Sequence, residues 1–320
     1  MNSGRRRAIT ILAAAGAGAI LPRSGLFAGE MRSWRGIALG APASLTIAGR
    51  GPAEADELIA AARAEIDRLE AIFSLHHPDS ALCRLNRDGF LDAPPADLLV
   101  LLSRSGAIHA ATDGAFDPTV QPVWRLLAET AGRPDPDALQ AALLLVGWQD
   151  VSVEPHRIGF ARPGMALTLN GIAQGYVTDR VAAMLREEGL NAVLVEIGEI
   201  AANGPSDTGE PWRIGIAERG DEPAAEEFLL TSGAIATSAP LGTTFDASGA
   251  LGHILDPVRG IVRPPWRRIT VLHHSATVAD GLSTGLVLTQ PDHLHQALAR
   301  QESCRVIAVD LKGRRIDRSA

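Results

Sequence analysis

The irregular order of helical and strand patterns constrains the fold of this chain more than any other feature of its sequence. Apolar residues recur at helical spacing in several segments, and short apolar runs between Gly and Pro predict strands. A strict alternation of strands and helices would indicate a parallel sheet, and this chain lacks it. The sequence therefore predicts an α+β (mixed α/β) fold, with central mixed sheets and flanking helices in one continuous domain.

The same patterns predict the individual elements. We expect helices over residues 53–73, 95–113, 139–146 and 171–188, with Gly189 as the C-terminal cap of the last, and further helices beginning near Asp280 and His293. We expect a strand, a turn and a strand over 36–47, two strands flanking residues 154–155, and strands at 192–197, 212–216, 234–237, 253–255 and 269–272.

Residues 1–28 have the pattern of a signal peptide, which is not part of the mature fold. Three arginines at positions 5–7 precede an uncharged stretch rich in Ala and Gly at 8–21, and residues 26–28 form a cleavage end. Arginines beside a weakly hydrophobic stretch indicate the twin-arginine export route. We therefore expect a periplasmic protein.

The composition limits both partners and cross-links. The chain has 37 acidic and 30 basic residues and a net charge of −7, so it offers no overall positive field to nucleic acid. With 46% apolar residues, it does not have the composition of a disordered chain. Cys83 and Cys304 are the only cysteines in the sequence, and the sequence leaves open whether they pair.

Three segments combine glycines with polar side chains, and the first is residues 168–176. Gly171 and Gly175 lie four residues apart, so they leave a patch without side chains along the first turns of the predicted helix. Free N–H groups and the positive end of the helix dipole at this place predict an anion site. Tight packing of the helix on a sheet explains the same glycines, and the segment alone leaves both interpretations open.

The second segment, residues 279–285, places a carboxylate and a hydroxyl on one face of a helix start. Asp280 and Thr284 are four residues apart, and such hard oxygen ligands suit a Mg²⁺ ion that keeps positions for phosphate oxygens. The alternative is a helix N-cap, in which the Asp280 carboxylate accepts a hydrogen bond from the N–H of Ser283.

The third segment, residues 251–257, has His253 on a predicted strand and Asp256 three residues later. This spacing predicts a proton acceptor close to a carboxylate, although a single histidine is also common as a structural residue. The motifs GxGxxG and GxxxxGK[ST] are absent from the sequence, which removes the main support for a Rossmann oxidoreductase or a P-loop ATPase.

Taken in order along the chain, these segments resemble the FAD:protein FMN transferase (ApbE) family. The resemblance covers about residues 34–299 and predicts one ApbE-like domain over residues 34–315. Seven segments carry it, each weak alone and specific as an ordered set: residues 78–86, 114–119, 171–176, 197–199, 211–216, 253–257 and 279–284.

The resemblance implies an enzyme that cleaves FAD and attaches its FMN half, through a phosphoester bond, to a Thr or Ser of a client protein. It implies Mg²⁺ ligation by Asp280, Thr284 and the backbone carbonyl of Gly171. It places His253 and Asp256 at the catalytic end. It also implies that seven residues contact the flavin dinucleotide: Leu39, His76, Ala115, Phe116, Asp117, Thr168 and Gln174.

Two departures from the family pattern bear on turnover. Many members carry Asp where Thr168 stands and Lys where Gln174 stands, so charge near the phosphates is missing here. An FAD-binding delivery protein and an FAD pyrophosphatase therefore remain alternatives. Residues 170–176 and 197–199 resemble the NosX-type branch, which implies a NosR-like membrane client in nitrous oxide reductase maturation. In every case, Gly171 and the pair Asp280 and Thr284 must face a common cavity for a diphosphate.

Overall fold

The computed structural model describes residues 11–13, 31–206, 208–216, 224–298 and 303–319. The helices are α1 (Pro52–Phe73), α2 (Ala81–Asp88), α3 (Ala96–Ala111), α4 (Gln121–Glu129), α5 (Pro136–Leu143), α6 (Ala173–Glu187), α7 (Ala276–Leu286) and α8 (Leu294–Leu298). The strands are β1 (Ile11–Ala13), β2 (Arg32–Ala38), β3 (Ala41–Ile47), β4 (Phe90–Asp92), β5 (Val151–Glu154), β6 (Arg157–Phe160), β7 (Val193–Ile197), β8 (Ile200–Asn203), β9 (Trp212–Ile216), β10 (Glu226–Leu230), β11 (Ser232–Ser238), β12 (Trp266–His273), β13 (Arg305–Asp310) and β14 (Arg315–Ser319). In these ranges, no helix has both the length and the apolar character needed to cross a membrane.

An eight-stranded sheet forms the centre of the fold. Its strand order is β14-β13-β12-β11-β8-β7-β3-β2, and all neighbours run antiparallel. Two-residue turns join β2 to β3 and β7 to β8, and tight hairpins of this kind impose the antiparallel direction. The prediction of an α+β fold is confirmed, with antiparallel sheets where mixed sheets were expected.

Helices cover one face of the central sheet, and a small sheet covers the other. On the first face, α1, α6 and α7 enclose the main apolar core together with β3, β7, β11 and β12. On the other face, Trp212, Ile214 and Ile216 of β9 and Phe228 of β10 build a second core against the central strands. Because α7 lies between the sheet and the helices α3 and α6, its polar side chains are held within the protein.

Two further units flank this assembly. The strands β4, β6 and β5 form a small antiparallel sheet beside α2 and α3. The helices α4 and α5 enclose a third core with Leu255, so the loop that carries His253 is anchored to them. Cys83 and Cys304 are both free thiols.

Most predicted elements are confirmed within a few residues. Two predictions need correction, one in the segment of residues 251–257 and one in the segment of residues 279–285. Residues 253–255 do not form a strand, because the backbone there makes only isolated bridges, at Thr244 with Gly252 and at Asp256 with Gly260. The helix predicted to begin near Asp280 begins at Ala276. The predicted signal peptide lies outside the described residues except for 11–13, which pair with β9.

Candidate active site

The candidate site lies where α6, with the turn before it, crosses α7. Residues spaced by four on the α6 side meet residues spaced by four on α7: Gly171 with Thr284, Gly175 with Asp280, and Asp179 with Ala276. Residues four apart form a ridge along a helix, so two ridges pass each other here in opposite directions. This register brings together the first and second polar segments of the sequence.

Gly175 sets the distance between the two helices. A Cβ at this position would lie 2.3 Å from the carbonyl oxygen of Ala276 and 2.8 Å from the Cβ of Asp280. No side chain fits in that space. The N–H of Gly175 donates a 3.0 Å hydrogen bond to Oδ2 of Asp280. The close approach therefore holds a buried carboxylate against the first turn of α6.

Gly171 and Thr284 approach each other almost as closely as Gly175 and Asp280 do. Oγ1 of Thr284 donates a 3.3 Å hydrogen bond to the carbonyl oxygen of Gly171. A Cβ at Gly171 would lie 2.9 Å from Cγ2 and 3.0 Å from Oγ1 of Thr284, so a side chain there would displace the hydroxyl. The structure thus brings together the three residues that the resemblance implied as Mg²⁺ ligands.

The start of α7 shows that the N-cap interpretation of Asp280 is wrong. Ser275 is the N-cap, and its hydroxyl oxygen accepts an N–H of the first turn. The Asp179 carboxylate adds a second cap from α6. It accepts hydrogen bonds of 2.6 to 2.9 Å from the hydroxyl of Ser275, the N–H of Ala276, and the N–H and hydroxyl of Thr277. A negative charge at a helix N-terminus stabilises the helix, so Asp179 fixes where α7 begins.

The free N–H groups predicted at the start of α6 are largely engaged. The N–H groups of Ile172 and Ala173 both donate to the carbonyl oxygen of Leu169. The N–H of Gly175 donates to Asp280, as described above. An anion bound here would therefore depend on the side chains and on a cation more than on the helix terminus.

Two buried carboxyl groups interact at this crossing. Asp280 is 3% exposed and Glu199 is 6% exposed. Burial raises the pKa of Asp280 to about 7; the Gly175 N–H opposes the rise and the charge of Asp179 adds to it. Burial, reinforced by the charge of Asp280, raises the pKa of Glu199 well above its usual range. A bound cation would stabilise both charged forms and lower both pKa values.

The loop of residues 115–117 adjoins the C-terminal half of α7. A Cβ at Gly285, the residue after Thr284, would lie 2.9 Å from the Cβ of Phe116. The N–H of Thr168 donates a 2.8 Å hydrogen bond to the carbonyl oxygen of Pro118. The structure therefore places the loop and Thr168 next to the crossing.

Asp117 uses its carboxylate to hold this loop. Oδ1 accepts hydrogen bonds from the N–H (2.8 Å) and the hydroxyl (2.6 Å) of Thr119, and Oδ2 accepts the N–H of Trp148 at 3.3 Å. The side chain of Asp117 is buried. Contact of Asp117 with FAD stays a prediction, and the structure gives this residue a role in shaping the loop.

Gln174 lies at the crossing, whereas Leu39 and His76 lie near the turn between β2 and β3. A Cβ at Gly198 would lie 2.5 Å from Cδ of Gln174, so the Gln174 side chain covers the turn that carries Glu199. His76 lines a cavity of 420 Å³ beside the turn between β2 and β3, and Leu39 belongs to that turn. The turn is held by the Leu39 N–H, which donates to the Glu70 carboxylate. A second cavity, of 660 Å³, lies beside the small sheet of β4, β5 and β6.

His253 is connected to the crossing through the loop that follows β11. Its Nδ1 lies 3.2 Å from the carbonyl oxygen of Pro240 and 3.1 Å from that of Thr243. Since carbonyl oxygens only accept, Nδ1 carries a proton. Desolvation lowers the pKa of His253 below its usual value, against the opposing effect of the two carbonyls. The ring is therefore neutral near pH 7, with Nε2 unprotonated.

Asp256 is bound within its own turn. Oδ1 accepts the N–H groups of Val258 and Arg259, both at 2.9 Å, and Oδ2 accepts the Arg259 side chain at 2.7 and 3.0 Å. Despite the opposing effect of burial, these hydrogen bonds and the charge of Arg259 hold the pKa of Asp256 below its usual range. The predicted catalytic role of Asp256 stays a prediction, and its contacts show a role in closing the turn.

The oxygen atoms of the crossing fit Mg²⁺ better than a metal held by many side chains. In the described part of the chain, no group of three or more His, Cys, Asp and Glu side chains could hold a metal ion. Mg²⁺ needs only one or two carboxylates, because it retains waters and binds substrate phosphates. Asp280, the Thr284 hydroxyl and the Gly171 carbonyl supply hard oxygens of this kind.

Sequence reasoning missed several residues that build the site. Glu199 stands in the segment of residues 197–199, which was matched to the family without a role. Ser238 lies 3.3 Å from the Thr284 hydroxyl, and Asp179 caps α7 from 96 residues away. A carboxylate after a strand–glycine turn was a usable signal for Glu199. No local signal marked Ser238 or Asp179, because their partners are distant in sequence.

The chain is similar to proteins of one family over most of its length. A model described as the ApbE family matches residues 39–308. The FAD:protein FMN transferase of Vibrio cholerae serotype O1 is 33% identical over 242 residues, which cover 70% of this chain and 72% of that protein. The FAD:protein FMN transferase of Escherichia coli K12 is 27% identical over 255 residues, covering 74% of this chain and 72% of that protein.

Solved structures agree with these similarities. The flavin transferase ApbE from Vibrio cholerae has a TM-score of 0.78 at 25% identity, covering 91% of this chain and 97% of that chain. The ApbE protein from Thermotoga maritima has a TM-score of 0.79 at 25% identity, with the same coverage. The fold and the similar sequences are therefore those of an enzyme of the transferase class. Because the family match spans most of its length, the chain belongs to the ApbE family.

Proposed function

We propose that this chain is a Mg²⁺-dependent FAD:protein FMN transferase, which cleaves FAD and attaches FMN through a phosphoester bond to a Thr or Ser of a client protein. The observation that carries the proposal is the meeting of Asp280, Thr284 and the Gly171 carbonyl at one helix crossing. Membership of the ApbE family supports it, because the similar proteins are named FAD:protein FMN transferases.

Asp280, Thr284 and the carbonyl of Gly171 would hold the Mg²⁺ ion. When bound, the ion supplies positive charge that stabilises the pyrophosphate as AMP leaves. The chain itself contributes position: the Gly175 N–H holds the Asp280 carboxylate, and the absence of a side chain at Gly171 leaves room for the Thr284 hydroxyl. In this arrangement the ion would supply charge and the protein would supply positioning. Phosphoryl transfer depends mainly on these two contributions.

His253 is the group that takes up the proton of the attacking hydroxyl. Its Nδ1 is held by the carbonyls of Pro240 and Thr243, so Nε2 has a free lone pair. The lowered pKa keeps this nitrogen unprotonated near pH 7. A neutral imidazole of this kind acts as a general base when a client Thr or Ser attacks the FMN phosphorus.

An FAD-binding delivery protein and an FAD pyrophosphatase are the competing functions. By the resemblance to the family, Thr168 and Gln174 stand where many members carry charged residues, and this departure favours the competitors. Gln174 covers the turn at Gly198, so an uncharged amide occupies the place of a point charge beside the buried Glu199. The missing charge is expected to weaken FAD binding or slow turnover without removing the oxygens at Asp280 and Thr284.

The location and the client follow from sequence patterns alone. We propose that the chain acts in the periplasm after twin-arginine export, on the basis of residues 1–28. We further propose a NosR-like membrane protein of nitrous oxide reductase maturation as the client, on the basis of residues 170–176 and 197–199. Cell fractionation with the paired arginines replaced, and flavinylation of a NosR-like fragment compared with an unrelated Thr-containing fragment, test the two proposals separately.

One reaction distinguishes the three functions. Mature protein is incubated with FAD, Mg²⁺ and a client fragment, and the products are separated by mass. Covalent FMN on the client with release of AMP supports the transferase, free FMN alone supports the pyrophosphatase, and unchanged bound FAD supports the delivery protein. Asp280→Ala is expected to abolish the Mg²⁺-dependent product, while Asp137→Ala, which removes an exposed carboxylate of α5, serves as the matched control. Full activity of Asp280→Ala would refute the proposed site.

A further inference from the structure

A row of hydroxyl groups continues from the proposed metal site into the protein. Oγ of Ser238, the last residue of β11, lies 3.3 Å from Oγ1 of Thr284 and 2.8 Å from Oγ of Ser283. Oγ of Ser283 donates a 3.0 Å hydrogen bond to the carbonyl oxygen of Asp280. Ser283 is fully buried, so its hydroxyl depends on these protein partners.

The direction of these hydrogen bonds follows from counting protons. Each hydroxyl has one proton to donate, and a carbonyl oxygen can only accept. Because Ser283 gives its proton to the carbonyl of Asp280, the 2.8 Å contact requires Ser238 to donate to Ser283. In this arrangement Ser238 has no proton left for Thr284, so their 3.3 Å contact is a hydrogen bond only when Thr284 gives its proton to Ser238 instead of to the Gly171 carbonyl.

The Thr284 proton therefore has two acceptors at equal distance. They are the Gly171 carbonyl and Oγ of Ser238, each 3.3 Å from Oγ1 of Thr284. Ligation of a cation uses oxygen lone pairs, so a cation shared by Gly171 and Thr284 excludes the hydrogen bond between them. The Thr284 proton must then point away from the ion, and Ser238 is the acceptor in that direction.

We propose that Ser238 is a positioning residue for the Mg²⁺ site, which accepts the Thr284 proton and thereby turns a lone pair of Thr284 toward the ion. The inference rests on the proposed Mg²⁺-dependent function. Ser238 acts through Thr284 and is not a ligand in this assignment. The partner that orients a metal ligand affects metal affinity by about 10–100-fold, which makes the role measurable.

The test measures metal affinity in the absence of turnover. Mg²⁺ is titrated into the full chain with ADP present as an unreactive diphosphate, and heat of binding is recorded; Mn²⁺ binding is followed in parallel by electron paramagnetic resonance. The variants are Ser238→Ala and Ser238→Thr, with Ser105→Ala as the matched control. Ser105 is a buried serine of α3 whose hydroxyl donates within its own helix, so the control removes the same atom elsewhere. Thermal unfolding of each variant checks that it is folded.

We expect Ser238→Ala to weaken Mg²⁺ binding about 10–100-fold, with Ser238→Thr and Ser105→Ala close to the wild type. Wild-type affinity in Ser238→Ala, combined with lost binding in Thr284→Ala, would overturn the role of Ser238 and leave the metal site standing. Wild-type affinity in Thr284→Ala and Asp280→Ala as well would refute the metal site and the proposed function. An equal loss in Ser105→Ala would attribute the effect to general destabilisation and would also overturn the inference.

Discussion

Replacing Gly175 by Ala tests whether the close approach of α6 and α7 builds the site. The added Cβ would lie 2.3 Å from the carbonyl oxygen of Ala276 and 2.8 Å from the Cβ of Asp280. Favourable contacts between such atoms are about 3.5 Å long, so one helix must move by roughly 1 Å. The movement would also stretch the 3.0 Å hydrogen bond from the Gly175 N–H to Asp280.

The expected cost combines three contributions. Overpacking of a tight contact costs about 1–3 kcal/mol, and loss of one hydrogen bond costs about 1 kcal/mol. The higher helix propensity of Ala offsets about 1 kcal/mol of this. We therefore expect a net destabilisation of about 1–3 kcal/mol, equivalent to a melting temperature roughly 2–10 °C lower. A displacement of about 1 Å at Asp280 should also slow FMN transfer by about 100-fold.

The assay compares thermal unfolding and initial rates of FMN transfer in Gly175→Ala, Gly51→Ala and the wild type. Gly51 caps α1, and a Cβ there would have no neighbour within 4 Å, so this control should change neither quantity. A Gly175→Ala protein that melts and turns over like the wild type would show that the helices need not approach so closely, and the reasoning would fail.

Three further predictions concern His253, Asp280 and Asp179. His253→Ala should slow transfer by about 10²–10⁴-fold while FAD binding, measured by flavin fluorescence, changes little; equal loss of both would argue against a general base. The pKa of Asp280 is raised from 3.8 to about 7, so the folded protein holds a proton that the unfolded chain releases. Metal-free protein should therefore lose stability as pH rises from about 4 to 7. The increase in melting temperature that Mg²⁺ causes should be larger at pH 8 than at pH 6. An increase that does not depend on pH, or that is unchanged in Asp280→Asn, would contradict this prediction. Asp179→Ala removes the acceptor of four hydrogen bonds at the start of α7 and should cost about 2–4 kcal/mol in thermal unfolding; an unchanged melting temperature would refute the second cap.

Elements with a long and regular pattern were predictable from the sequence. The apolar spacing of α1, α3 and α6 predicted these helices within a few residues, because each buries one continuous face. The short run at residues 253–255 was assigned wrongly as a strand. Three apolar or aromatic residues do not distinguish a strand from a loop held by side chains, and here the imidazole of His253 bonds the loop backbone directly.

The sequence predicted the residue pairs that build the site, but it did not predict how these pairs contact each other. The sequence showed Gly171 and Gly175 four residues apart and Asp280 and Thr284 four residues apart, with two open interpretations for each pair. Which interpretation holds depends on the register between α6 and α7, which no local pattern encodes. The start of α7 was misplaced for the same reason, because the carboxylate that supports its cap belongs to Asp179 on another helix.

The matched four-residue spacing on the two helices limits how this site can change over time. Each residue of an α-helix turns about 100° from the one before it, so inserting or deleting one residue between Gly171 and Asp179 would rotate part of that row away from α7. The same holds for an insertion between Ala276 and Thr284. Substitution of single side chains can alter the activity of the enzyme. Insertions or deletions inside these two stretches would separate the residues that form the site.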